Sequence, residues 1–191
     1  MARTKIKIVG ALVVVLFSLM AEARSPYKAA LKKWTEKDSA YSWDNFEARM
    51  VWQATYQGAE FRKARVEEQA RIYQLREEEK AALMKKEEEE LAVYDDFFVA
   101  LYTGSGQWSD IGKDLKLWRI VLALPDEREN SSPSIEVVKS GELERKFYPY
   151  IDKWSRTFRI RFAKFLPPET KEFSLRMIGI PATSTLEWKV K

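Results

Sequence analysis

Past residue 117 the apolar residues of this chain recur at every second position. Trp118, Ile120, Leu122 and Leu124 form one series, and Phe158, Ile160 and Phe162 alternate with Thr157, Arg159 and Arg161. Phe173, Leu175 and Met177 alternate with Ser174 and Arg176, and Leu186, Trp188 and Val190 with Glu187 and Lys189. A period of two sends successive side chains to opposite faces of an extended strand, one face buried and the other wet. Ser134–Val138 reads as one more short strand. The polar stretch Pro125–Pro133, the pair Pro167-Pro168 and the segment Gly179–Ser184 supply turn chemistry between them. Short alternating strands separated by such turns predict an antiparallel sandwich or small barrel. Gly141–Trp154 fits a helical turn crossing between sheets.

Upstream the period is helical. Ser25-Pro26 is a helix start, a hydroxyl cap followed by proline at the first helical position. Tyr27, Leu31 and Trp34 then share one face. Asp44 and Glu47 could cap a second helix. From Asp44 to Tyr102 there is one glycine, Gly58, and no proline, and Glu, Ala, Lys, Arg and Leu predominate. A continuous helix of that length would span on the order of 90 Å. Its ends are apolar and rich in aromatics (Trp43, Phe46, Met50, Val51, Trp52 and Tyr56; Leu91, Val93, Tyr94, Phe97, Phe98, Val99 and Leu101), and its middle, Arg76–Lys80 and Lys85–Glu90, is charged. No glycine or proline marks a turn at Glu77–Glu79, so a straight helix is expected over one that folds back there. Gly104 and Gly106 end it.

The expected fold is therefore α+β in two parts. A long N-terminal helical region, residues 24–103, holds a short helix and a long charged one. A linker at 104–116 leads to a C-terminal antiparallel β-sandwich at 117–191, expected to fold independently. In outline that sheet region is similar to immunoglobulin-like sandwiches, an architecture that carries no particular function.

Residues 1–23 are set apart from the fold. Arg3, Lys5 and Lys7 precede an apolar run, Ile8–Met20, of 13 residues. A spanning helix needs about 20 apolar residues, and a signal-peptide core about 7–15. Ala21-Glu22-Ala23 is a small-x-small cleavage site. The expectation is a signal peptide cleaved after Ala23, which leaves no membrane span and puts the chain in the periplasm or at the cell surface. The alternative is an inner-membrane anchor formed by uncleaved residues 8–20. The chain has no cysteine, so an exported form is held by packing alone, which favours a bacterial envelope.

The chain also has no histidine. That removes Ser-His-Asp and Cys-His nucleophile pairs, His-Cys zinc sites and the commonest general base near neutral pH. No glycine-rich phosphate loop is present. No catalytic residue, metal site or cofactor is expected; a carboxylate-based enzyme acting on glycans is the remaining enzymatic alternative. Asp95-Asp96 and Glu87–Glu90 are expected to be solvated carboxylates on a helix surface.

Two features point to binding. Arg159 and Arg161 leave the same face of one strand about 7 Å apart, and Arg176 is placed outward on the next expected strand. If those strands pair, the three guanidiniums form an anion site. Residues 104–191 carry 16 Lys or Arg against 12 Asp or Glu, and residues 24–103 carry 14 against 16, so the positive charge belongs to the sheet. Trp108 and Trp154 lie in irregular segments and are candidate exposed aromatics for stacking on sugars, whereas Trp34, Trp118 and Trp188 are expected in the core. The expected function is that of an exported, non-enzymatic structural or interaction protein of the bacterial cell envelope, with a protein or envelope component as partner and self-association through the long helix open to it. The alternative is an envelope glycan- or lipid-binding module using the arginine face or exposed tryptophans. Nucleic acid fits neither the leader nor the modest charge.

Overall fold

The computed structural model describes residues 25–44, 46–106, 108–111 and 117–189. The expected leader, residues 1–23, and Val190 lie outside the described residues. Helix α1 (Pro26–Trp34) starts at the expected proline, while the Ser25 hydroxyl makes no cap hydrogen bond; the helix buries Tyr27, Ala30, Leu31 and Trp34 and runs directly into strand β1 (Thr35–Tyr41). Strand β2 (Ala48–Tyr56) follows, then helices α2 (Ala59–Tyr73) and α3 (Glu77–Val93), then β3 (Tyr94–Thr103). Next come β4 (Trp118–Ala123), β5 (Glu129–Asn130), β6 (Ser134–Val138), α4 (Glu142–Phe147), β7 (Arg156–Ala163), β8 (Glu172–Gly179) and β9 (Thr183–Lys189).

The strands form two antiparallel sheets, one ordered β1-β2-β3-β7-β6 and the other β5-β4-β8-β9. Register sets the inner faces. Phe97 lies opposite Tyr56 and Ile160, and Val99 opposite Phe158. In the second sheet Ile120 pairs with Met177, Leu175 with Leu186, and Phe173 with Trp188. The sheets meet through aromatic rings. Trp188 stacks on Phe173 at 5.0 Å between ring centroids and lies 5.4 Å from Phe97 of the other sheet. Trp52 Nε1 donates to Ser184 Oγ (2.8 Å) and Trp188 Nε1 to the Trp34 carbonyl (2.9 Å), so the buried indoles have hydrogen-bond partners as well as apolar contacts.

The alternation beyond residue 117 reads correctly: every apolar position it assigned inward among the described residues is buried. The long helix is a correction. Its two aromatic ends are strands β2 and β3, adjacent and antiparallel, and only its charged middle is helical. That middle folds back on itself. Gln74 adopts φ 50, a left-handed residue closing α2, and its N–H donates to the Ala70 carbonyl. Glu79 then accepts from the Arg76 N–H (2.9 Å) and caps the start of α3. A glutamine in the left-handed region performs the turn that glycine usually marks.

The expected partition is corrected with it. β3 and β7 come from opposite sides of the expected linker at 104–116 and are hydrogen-bonded neighbours. One hydrophobic cluster runs from Tyr27 to Trp188. The strand order is also not that of an immunoglobulin sandwich, where the second strand pairs with the fifth; here β2 pairs with β1 and β3.

Candidate functional site

Asp95 and Asp96 organise the two sides of the five-stranded sheet. They are neighbours on a strand and so point to opposite faces. Both are fully buried, which corrects their expected place on a solvated helix surface. Asp96 points to the face covered by the α2–α3 hairpin. There its carboxylate meets Arg62 Nη2 of α2 at 2.6 Å and Arg159 Nη2 of β7 at 3.0 Å. Arg161 Nε lies 3.1 Å from Asp96 Oδ1, an ion pair too poorly aligned to be a hydrogen bond. Helix α3 supplies the remaining carboxylates. Glu87 takes Arg62 Nη1 at 2.5 Å and Arg65 Nη2 at 2.6 Å; Glu90 takes Arg159 at 2.5 Å and Arg161 at 3.0 Å. Glu87 is the buried residue of α3, so this helix is held to the sheet chiefly by charge. The solvated reading of Glu87–Glu90 is corrected accordingly.

The expected anion site dissolves in this geometry. Arg159 and Arg161 do share a face, but their guanidiniums are occupied by Glu90 and Asp96. Arg176 lies in the other sheet, where β8 pairs with β4 and β9, and binds Glu129 of β5. No convergence of the three occurs. The open side of the network is a cleft of about 380 Å³, lined among others by Arg65, Lys86, Glu87, Glu136 and Tyr148. Tyr148, just past α4, stacks on Phe98 at 3.8 Å and forms its apolar wall.

Glu90, at the edge of this cleft, is set up as a poor general acid. Burial raises the Glu90 pKa, but the guanidiniums of Arg159, Arg161 and Arg62 outweigh it and hold the group below its usual value. A glycosidase acid needs the opposite shift.

Asp95 points to the inner face and clamps a loop. Its Oδ2 accepts from the N–H groups of Phe165 (2.7 Å) and Leu166 (2.8 Å); its Oδ1 accepts from Lys164 Nζ (2.8 Å) and Tyr56 Oη (3.0 Å). Burial and the adjacent Asp95 push the Tyr56 phenol far above its usual range, so it remains a neutral donor. The clamped β7–β8 loop, carrying Leu166, Pro167 and Pro168, forms one wall of a pocket of about 640 Å³. Leu91 and Ala92 of α3 form the facing wall, and Trp34, Tyr56 and Phe173 the base. The Tyr56 ring lies 4.9 Å from Phe173 and 5.7 Å from Trp34. Gly58 is required at the edge: a Cβ there would lie 2.7 Å from Tyr56 Cε1. The polar groups are at the rim: Lys164, Glu88 and Glu60, the last held by Lys33 at 2.6 Å and Trp34 Nε1 at 3.2 Å. The volume is in the range of small-molecule sites, and the lining has their character of apolar walls with a few polar groups.

Of the expected exposed aromatics, Trp108 is half-buried against the core and its carbonyl accepts from Trp118 Nε1 at 2.8 Å. Trp154 is 67% exposed, with Lys153 Nζ over its ring at 4.8 Å. More exposed rings lie elsewhere, Trp43 at 91% and Phe46 at 78%, in the β1–β2 turn. Among the described residues no helix is long and apolar enough to cross a membrane, and no cluster of three or more acidic side chains has metal-binding geometry. Comparison with protein-family models, with curated proteins and with solved structures gives no match to this chain.

Proposed function

We propose that this chain is an exported, non-enzymatic protein of the bacterial cell envelope that acts by binding, and that the apolar pocket between α3 and the β7–β8 loop is its ligand site. The leader-like residues 1–23 motivate the location. The pocket carries the binding role. It is walled by side chains from helices, strands and a loop, and its loop wall is fixed by three hydrogen bonds to Asp95, so it needs no ligand to form. A preformed apolar site spends little of its binding energy on ordering. The matching ligand is an amphiphile, an acyl chain or fused-ring body for the aromatic base with a polar head at Lys164 and Glu60.

The test uses 1-anilinonaphthalene-8-sulfonate as a fluorescent probe, displaced by a long-chain fatty acid. Ala92→Trp, on the exposed end of α3, should fill the pocket mouth, weaken probe binding by at least roughly tenfold, and leave the melting temperature unchanged. Probe that does not bind at all, or binds the Ala92→Trp protein equally, overturns the reading.

A further inference from the structure

The opposite end of the β1–β2 hairpin presents apolar side chains that the fold does not use. The turn from Ser42 to Glu47 is closed on its own backbone: the Ser42 N–H donates to the Glu47 carbonyl (2.9 Å) and the Phe46 N–H to the Ser42 carbonyl (3.0 Å). It holds Trp43 and Phe46 outward. Phe46 has φ 57. Glycine and asparagine enter that left-handed region readily, and an aromatic residue does so only against its backbone preference. A phenylalanine here gains no burial and strains the turn. Folding alone would favour glycine, so the ring is there for something outside the molecule.

A second turn stands beside it. Between β8 and β9 the Gly179 N–H donates to the Ala182 carbonyl (3.0 Å), and Ile180 is 84% exposed at the apex. Tyr41 and Trp43 of the first turn and Pro181 and Ala182 of the second line one shallow depression, so the two apices share one end of the molecule. Among the described residues, the ionisable side chains of the two turns are Asp44 and Glu47, with Arg49 beside them. Their balance is one net negative charge.

We infer that this end of the molecule, led by Trp43, Phe46 and Ile180, inserts into the interfacial layer of a lipid bilayer. The exposed apolar side chains stand on two turn apices, Trp43 and Phe46 on the first and Ile180 on the second. A stable protein interface wants about 800 Å² of complementary surface per partner, which such apices do not offer. The interfacial layer of a bilayer moulds itself to protrusions, takes Trp and Tyr at headgroup level and rewards each apolar group inserted. The net negative charge gives no attraction to anionic headgroups, so the lipid that fits is zwitterionic. The inference rests on the proposed envelope location and is independent of the ligand pocket, which lies at the other end of β2 and β8.

The test is co-sedimentation of the processed chain, Arg24–Lys191, with phosphatidylcholine vesicles, and a parallel set containing phosphatidylglycerol. Binding to phosphatidylcholine should persist from about 0.05 M to about 0.5 M salt, since screening acts on charge and not on apolar insertion. Phosphatidylglycerol should not strengthen it. Brominated acyl chains should quench part of the tryptophan emission. The Trp43→Ser, Phe46→Gly double variant should lose about tenfold or more in partitioning, lose that quenching, and melt no lower than the original. Binding that needs phosphatidylglycerol and vanishes with salt, equal binding by the double variant, or no binding at millimolar lipid overturns the inference. So does a concentration-dependent dimer abolished by the same variant, which would assign the apices to a second copy. Probe binding at the apolar pocket, measured on the same samples, separates failure here from failure of the ligand site.

Discussion

Replacing Asp96 by asparagine tests the charge network at its least accessible point. The side chains of Asp96 and Arg62 are 0% and 2% exposed. Arg62 also donates from Nε to the Gln57 carbonyl (2.7 Å) and from Nη1 to Glu87, so no route to water compensates for a lost partner. In Asp96→Asn, Arg62, Arg65, Arg159 and Arg161 would keep, of their present ion-pair partners, Glu87 and Glu90. Breaking one side of a buried ion pair typically costs about 3–5 kcal/mol, because the remaining charge stays desolvated. The Arg159 and Arg161 pairs are about a quarter exposed and add under about 1 kcal/mol each once screened. The Arg62 pair therefore dominates, and about 3–5 kcal/mol is expected. With a urea slope of about 2 kcal/mol per molar, the unfolding midpoint should fall by about 2 M. Glu77→Gln, at the exposed start of α3, is the control and should stay within about 0.5 kcal/mol. The Arg62→Met, Asp96→Leu double variant removes both charges and should recover most of the loss. A loss below about 1 kcal/mol for Asp96→Asn, or a double variant no more stable than the single one, would refute the account of α3 as held to the sheet chiefly by charge.

Two further expectations concern the same hairpin. Because the Glu90 pKa is lowered in the folded state, its contribution is fully present above the unfolded glutamate value of about 4.3 and is lost as pH falls through the folded value; urea midpoints should hold from about pH 7 to 5 and drop below about pH 4, with a shallower drop in Glu90→Gln. Gln74→Gly places the residue suited to φ 50 at the end of α2 and should stabilise by up to about 1 kcal/mol in the same assay, whereas destabilisation would show that the glutamine side chain matters to the turn.

Strands β7, β8 and β9 were legible because each buries chiefly one face. Arg159 and Arg161 face charge and Phe158, Ile160 and Phe162 face the core, so the period of two survives in the letters. β2 and β3 are covered on both faces, by the second sheet on one side and by the helices and the segment around Tyr148 on the other. A strand buried twice reads as an unbroken apolar run and is hard to tell from a buried helix. A local signal was nevertheless present. Val51, Trp52, Thr55 and Tyr56, and likewise Phe97, Phe98, Val99, Tyr102 and Thr103, are β-branched or aromatic, the residues that strands favour. Glu, Lys and Ala, which fill 59–93, are the ones that helices favour. The change of composition at Tyr56 and at Tyr94 marks the boundaries that glycine and proline did not.

The charge network was illegible for a different reason. Glu87–Glu90 and Arg159–Arg161 each look like an ordinary solvated surface, and each would be one without the other. The pairing depends on β3 and β7 lying side by side, which brings Asp96 against Arg159 and Arg161 and sets the surface on which α3 lands. Asp95 and Asp96 carried the available clue. Two adjacent acids inside the run Tyr94–Thr103, otherwise apolar or aromatic apart from its terminal threonine, are costly to bury unless both are fully partnered. On a strand they must be partnered on opposite faces. One face then has to supply cations, which are the arginines of β7 and Arg62 of α2. The other has to supply backbone and side-chain donors, which are Phe165, Leu166 and Lys164 from a turn and Tyr56 from β2. The helical hairpin and the pocket wall are thus both fastened by neighbouring residues of one strand. That predicts separable effects: Asp96→Asn should loosen α2 and α3 and leave the loop wall in place, while Asp95→Asn should free the β7–β8 loop and weaken probe binding. Amide hydrogen exchange resolved to Phe165–Leu166 and to α3 distinguishes the two, and parallel deprotection of both regions by either substitution would show that the strand acts as a single fastening.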